Sequence, residues 1–286
     1  MIASAVRGRW AVAAIFLANG FLIGSWAPHI PLLLTRLGIT ESTLGLLILC
    51  FGIGALVSMP WCGWLMGRFG QRPVLRTVSL LQGAGLLLVV LSPSVTATGV
   101  TMLVFGAVIG CTDVAMNSAT VTVERGLRSA VMSSMHGFWS LGGFVGGGLG
   151  GFALVSLGPV VHAAIVGVIA AAAAILAYRH ILPAEPVAAA DAGSRRGLSL
   201  PTTPAVYLLG LMALILFVSE GAVLDWAALF MSQERGAELS TAGLAYAFFA
   251  GAMALMRFAG DTVRNRFGAV GVALVVLLIL VLMRQV

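Results

Sequence analysis

Lysine is absent from these 286 residues, and charge of either sign is scarce. Charged residues make up 9% of the chain, against about a quarter in an ordinary soluble domain. Hydrophobic residues make up 60%, and mean hydropathy is +1.06. So few charges cannot clothe a water-facing surface, so the chain reads as an integral membrane protein with the lipid bilayer as its solvent and partner. Cysteine is nearly absent too. Cys50, Cys62 and Cys111 lie inside apolar runs, without metal-ligand spacing and with no cysteine in a loop for a disulfide; they read as small core hydrophobes. No H-E-x-x-H, G-x-S-x-G or P-loop occurs, so neither a metal, a cofactor, enzyme chemistry nor an ATP-driven pump is expected. The basic residues are all arginine, giving a net charge of +6 and a pI of about 10.2. They sit in short gaps between apolar runs, which is a membrane-topology pattern and not a nucleic-acid stripe.

What is present is a succession of apolar runs long enough to span. A spanning helix needs about 20 mostly apolar residues. Nine segments qualify, near 10–34, 43–66, 74–92, 97–121, 130–156, 159–182, 204–231, 240–263 and 269–285. The turn signal Gly158-Pro159 divides the fifth from the sixth. The first follows Arg7 and Arg9 and has no small-residue cleavage site behind it, so it reads as a retained helix and not a leader. With a cytoplasmic N-terminus, the inner segments hold Arg7, Arg9, Arg68, Arg72, Arg76, Arg125, Arg128, Arg179, Arg195, Arg196, Arg264 and Arg266. The outer loops hold only Arg36 and Arg235. The asymmetry predicts that orientation. Residues 183–203 are the one long polar stretch and read as a cytoplasmic linker between a six-helix half (1–182) and a second group of three helices (204–286).

The two groups repeat. An offset of 198 residues, the separation of Gly70 and Gly268, also pairs Gly38 with Gly236, Ser42 with Ser240, Thr43 with Thr241, Gly45 with Gly243, Leu46 with Leu244 and Phe51 with Phe249. Arg68-Phe69-Gly70 falls on Arg266-Phe267-Gly268. Parallel repeats of six helices build one large class of transporters.

The loop after the second segment reads Gly63-Trp64-Leu65-Met66-Gly67-Arg68-Phe69-Gly70-Gln71-Arg72. It resembles the major facilitator superfamily (MFS) signature G-x-x-x-D-R-x-G-R-R, matching at Gly63, Arg68, Gly70 and Arg72. Gly67 stands where that signature has its acid, and Gln71 where it has a basic residue. The resemblance implies a gating loop, and the missing acid weakens a charge latch there; plain positive-inside topology also accounts for Arg68 and Arg72. Asp113-Val114-Ala115-Met116-Asn117, Ser133-Ser134-Met135-His136-Gly137 and Glu220-Gly221-Ala222 with Asp225-Trp226 are similar to a bacterial inner-membrane MFS branch related to sugar permeases. The fold class implied is an all-α membrane protein, an MFS-type bundle of six helices plus three of the second half, with three further helices expected in that family.

Polar residues inside the apolar runs are the site candidates, because a charge at the membrane centre costs about 2.5–3.5 kcal/mol on insertion scales. Asp113 and Asn117, at i and i+4, share a face and suit solute hydrogen bonding, proton carriage or a structural contact. Glu220 is the candidate coupling acid. Asp225, five residues on, lies on another face and reads as a cap or pairing group near the outer side. His136 is a candidate proton switch or a structural histidine. Asn19, Trp26 and His29 in the first helix are solute contacts by resemblance, with Trp26 equally readable as an interfacial belt residue. Arg257 and Asp261, at i and i+4, read as an intrahelical ion pair, or as gating groups with Arg264 and Arg266. Two small-residue stripes, Gly142/Gly146/Gly150 and Gly143/Gly147/Gly151, read as close-packing surfaces.

The expectation is a secondary transporter of a small polar organic solute working by alternating access, with a sugar-like solute and proton coupling as open options. The competing expectation is a truncated, non-transporting remnant or membrane scaffold. Oligomeric state is not legible.

Overall fold

The computed structural model describes residues 2–183 and 202–283, with residues 2 and 269–283 described by backbone alone. Among the described residues all regular structure is helical. The helices are α1 (Ile2–Trp26), α2 (His29–Leu37), α3 (Glu41–Phe69), α4 (Gln71–Leu91), α5 (Val95–Leu127), α6 (Met132–Leu157), α7 (Pro159–Tyr178), α8 (Pro204–Glu234), α9 (Leu239–Ala242) and α10 (Leu244–Met283). Among the described residues, eight helices are long and apolar enough to cross a membrane. The ninth expected segment, 269–285, has helical backbone as far as Met283, but its side chains lie outside the described residues. The linker expected at 183–203 falls almost wholly outside them as well.

The first expected helix, 10–34, is two helices. Pro28 has no N–H to donate, so α1 ends at Trp26 and the chain makes tight turns, with Ile30 N–H donating to the Ala27 carbonyl at 3.2 Å. Gly38 then closes α2 in the left-handed conformation. Thr40 and Ser94 cap α3 and α5 by accepting the N–H groups of Thr43 and Ala97. Gly158 and Pro159 make the reversal between α6 and α7.

The repeat seen in the sequence recurs in the backbone. Gly38 and Gly236 have φ of 60° and 65°. Gly70 (φ 85°, ψ 153°) and Gly268 (φ 72°, ψ 158°) share a conformation that disfavours any side chain. Arg68 stacks on Phe69 at 5.6 Å as Arg266 does on Phe267 at 5.5 Å.

α6 is the helix on which the rest is assembled. A Cβ at Gly142 or Gly146 would strike the carbonyls of Leu17 or Phe21 in α1, and one at Gly150 would press on Pro28. A Cβ at Gly143 or Gly147 would strike Tyr246 in α10, and one at Gly151 the Ser240 carbonyl in α9. The two stripes thus face opposite neighbours, one in each group of helices. Buried side chains fill the rest of the interior around α1, where Phe16 and Leu22 are fully buried. In contrast α8 buries only Ala228 and Leu229.

The arginine-rich ends of the helices lie together. A Cβ at Gly8 of α1 would meet Leu182 and the His180 carbonyl beyond α7, and one at Gly126 of α5 would meet Ala5.

A buried polar network between two groups of helices

Three residues of α6, His136, Trp139 and Ser140, stand at i, i+3 and i+4 and so on one face. Each reaches a different helix. Ser140 Oγ accepts from Arg257 Nη1 of α10 at 2.6 Å, and Arg257 Nη2 forms an ion pair with Glu220 Oε2 of α8 at 3.0 Å. Trp139 Nε1 donates to Asn19 Oδ1 of α1 at 2.7 Å, and Asn19 Nδ2 donates to Gln82 Oε1 of α4 at 2.7 Å. The Arg257 guanidinium lies 6.0 Å from the Trp139 ring centroid. Two hydrogen-bonded strings, Glu220–Arg257–Ser140 and Trp139–Asn19–Gln82, thus meet at adjacent residues of α6.

His136 joins a second cluster. Asn117 Nδ2 donates to the Asp113 carbonyl at 2.9 Å and to Asp113 Oδ1 at 3.2 Å. Asn117 Oδ1 is then left as the acceptor for His136 Nε2 at 3.1 Å, which makes Nε2 the protonated nitrogen. The His136 ring sits edge-on to Phe16, within electrostatic range of Arg257.

Tyr246 of α10 is 1% exposed, and its hydroxyl has no hydrogen-bond partner among the described residues. It is within electrostatic range of Glu220, Asp225 and Arg257. Asp225 lies close to the Trp26 side chain. Trp26 itself is 6% exposed. Nearer the opposite end, His29 Nε2 and His162 Nδ1 are 2.8 Å apart, with both rings buried. His29 lines a cavity of about 280 Å³ together with Trp26, Leu33, Arg36, Val89 and Pro159. Arg36 donates to the carbonyls of Val89 and Val90, where a cation answers the end of the α4 dipole.

Arg257 and Asp261 are not a pair. Arg257 turns to Glu220, and Asp261 turns to α6, where its carboxylate accepts the N–H of Ser133 at 3.1 Å and of Ser134 at 2.7 Å. Four residues of helical spacing make such a pair available, but two unsatisfied N–H groups at a helix start are the stronger claim on a buried carboxylate. Ser133 Oγ adds a bond to the Arg257 carbonyl at 2.7 Å.

The signature loop stays within its own group. Gly63 and Gly67 face open space, and Arg68 stacks on Trp64 and Phe69. Arg72 donates to the Tyr178 and Arg179 carbonyls at 3.1 Å each.

Comparison with known sequences places the whole arrangement. The Major Facilitator Superfamily profile matches residues 11–284. The chain belongs to the Major Facilitator Superfamily. Among similar relatives of this superfamily member, an uncharacterized MFS-type transporter of Yersinia pestis is 37% identical over 89% of the chain and 65% of its own length. An uncharacterized transporter of Sinorhizobium fredii is 34% identical over 92% of the chain and 69% of its own length. The membrane protein MosC of Rhizobium meliloti is 25% identical over 90% of the chain and 62% of its own length. The chain thus spans about two thirds of the relatives it matches. The fold is similar to that of an auto-inhibited POT family peptide transporter, with a TM-score of 0.52 and 17% identity, covering 88% of the chain and 51% of that structure.

The network draws together Asn19, Asp113, Asn117, His136, Glu220 and Arg257 from the sequence candidates. Trp26 with Asp225, and His29 with His162, form separate contacts. Sequence reasoning missed Gln82, Trp139, Ser140, His162 and Tyr246. Gln82 carried a signal, an amide in the middle of an apolar run. Trp139 and Tyr246 carried none, since aromatic residues are ordinary in such runs.

Proposed function

We propose that the chain belongs to a secondary transporter that moves a small polar organic solute by alternating access, with its N-terminus on the cytoplasmic side of a bacterial inner membrane. The supporting observation is the Glu220–Arg257 ion pair at mid-span, bonded through Ser140 to α6 and continued by Trp139 and Asn19. Intramembrane charges are costly and mark solute or ion pathways when they face the bundle interior. Here the pair belongs to one group of helices and its hydrogen-bonded neighbours to the other. A solute that competes for Arg257 or Glu220 therefore alters the bonding between the groups.

In this reading Glu220 is the coupling group. Protonation of its carboxylate removes the attraction to Arg257, which stays bonded to Ser140. Asp113, Asn117 and His136 supply further donors and acceptors beside it. A sugar-like solute fits amides, a carboxylate and the Trp139 ring. Asp261 on the start of α6, with Arg264 and Arg266 beyond it, is the gating contact at the arginine-rich end. Gly63, Arg68, Gly70 and Arg72 shape the turn that holds that end of α3 against α4.

The test is uptake of a panel of labelled monosaccharides into membrane vesicles under an imposed pH gradient, for wild type and Glu220→Gln. Gradient-driven uptake by wild type that is lost in the variant is expected. Uptake unaltered by Glu220→Gln removes Glu220 from the mechanism.

A further inference from the structure

At the arginine-rich end, two guanidinium groups share one tyrosine. Arg72 and Arg76, at i and i+4 on α4, lie 4.7 and 4.5 Å from the centroid of the Tyr178 ring, on α7. Two like charges held against one ring repel each other unless an anion answers them. Arg72 is answered in part by the carbonyls of Tyr178 and Arg179 that end α7. Arg76 is exposed and makes no hydrogen bond or ion pair among the described residues. Among the described residues, the carboxylates at this end are engaged elsewhere, Glu124 with the N–H groups of Val131 and Met132, and Asp261 with those of Ser133 and Ser134.

The surroundings say what kind of anion fits. Arg76 is one turn into a membrane-spanning helix, where the headgroup layer lies. One to two turns deeper, Leu81 on α4 and Ile175 on α7 are exposed apolar surface. The two helices approach so closely there that a Cβ on Gly83 or Gly167 would strike the other's carbonyl. Cationic heads above a shallow apolar seam match a phosphodiester above acyl chains.

We propose that Arg76, with Arg72, Arg179 and Tyr178, forms a binding site for the headgroup of an anionic phospholipid, in the leaflet at the arginine-rich end. Tyr178 fixes the guanidinium planes, so the site selects by geometry as well as by charge. The proposal stands independently of any transport activity.

The test is native mass spectrometry of the purified chain titrated with phosphatidylglycerol or phosphatidylcholine. Wild type should retain phosphatidylglycerol preferentially. Arg76→Gln should lower its retention by about fivefold, the effect of one arginine at an anionic surface. Arg76→Lys should recover part of it. Arg125→Gln is the control, because Arg125 is exposed at the same end without a tyrosine beneath it. Arg76 makes no hydrogen bond among the described residues, so the variant should unfold near the wild-type temperature. Equal retention of the two lipids, or equal losses for Arg76→Gln and Arg125→Gln, would overturn the site. Equal thermal protection of lipid-free protein by inorganic phosphate would reassign it to a soluble anion.

Discussion

The Asp261 carboxylate accepts the backbone N–H of Ser134 at 2.7 Å, 127 residues away in sequence, and that of Ser133 at 3.1 Å. It thereby acts as a helix cap supplied in trans, from one group of helices to the first turn of α6 in the other. Val131, the residue at the capping position itself, has no side chain that can do this. An anionic acceptor there satisfies two orphan donors and meets the positive end of the α6 dipole.

Removing that cap should be measurable. Asp261→Ala should cost about 2 kcal/mol, near the top of the range for lost caps, and Asp261→Asn about 1 kcal/mol, since the amide offers one oxygen where the carboxylate offers two. Thermal unfolding in detergent, followed by circular dichroism, checks the order. Equal costs for Asn and Ala would show that the charge and second oxygen contribute nothing.

The glycine stripes predict a strongly position-dependent response. Gly146→Ala and Gly151→Ala each drive a methyl into a backbone carbonyl of a different neighbour, and should each destabilise by about 1–3 kcal/mol. Gly148→Ala places its methyl at an ordinary 3.6 Å from Ala247, and should be neutral or slightly stabilising through helix propensity. Unfolding temperatures that rank Gly148→Ala with the other two would refute the close-packing assignment.

The network from α1 to α6 can be read by a double-mutant cycle. Trp139→Phe keeps the ring near Arg257 but leaves Asn19 Oδ1 without its donor, at about 1–3 kcal/mol for a buried unsatisfied group. Asn19→Leu removes the acceptor as well. The double variant should cost less than the two single costs together, by an amount chemical denaturation resolves. Strict additivity would mean the 2.7 Å bond carries no coupling.

Matched turns should respond alike. Gly38 and Gly236 have φ of 60° and 65°, and neither meets an atom that a methyl would strike. Alanine at either should cost about 1–2 kcal/mol from backbone strain alone. Unequal losses in unfolding temperature would show that the two turns are not equivalent in energy despite their equal geometry.

The sequence made the spans readable because hydropathy and length decide them, and the repeat readable because Gly38, Gly70, Gly236 and Gly268 are required by backbone angle. What it could not convey is which polar side chains meet. Arg257 has Asp261 one turn away in sequence yet bonds Glu220, and no periodicity encodes that choice. Asn19 stood out as an amide in an apolar run, but its partners Gln82 and Trp139 come from helices 63 and 120 residues away. The break at Pro28 was visible as a proline, though the run of apolar residues across it imitated one long helix.

The twin glycine stripes of α6 have a kinematic consequence. Interlocked side chains hold two helices at one register, because each must change rotamer before the other can move. Where glycine meets backbone, as at Gly146 on α1 and Gly151 on the opposite side, few side chains obstruct a tilt. α6 therefore has a smooth bearing on each flank, and the polar contacts at Asp261 and Arg257 are the pins that set the angle at which it rests.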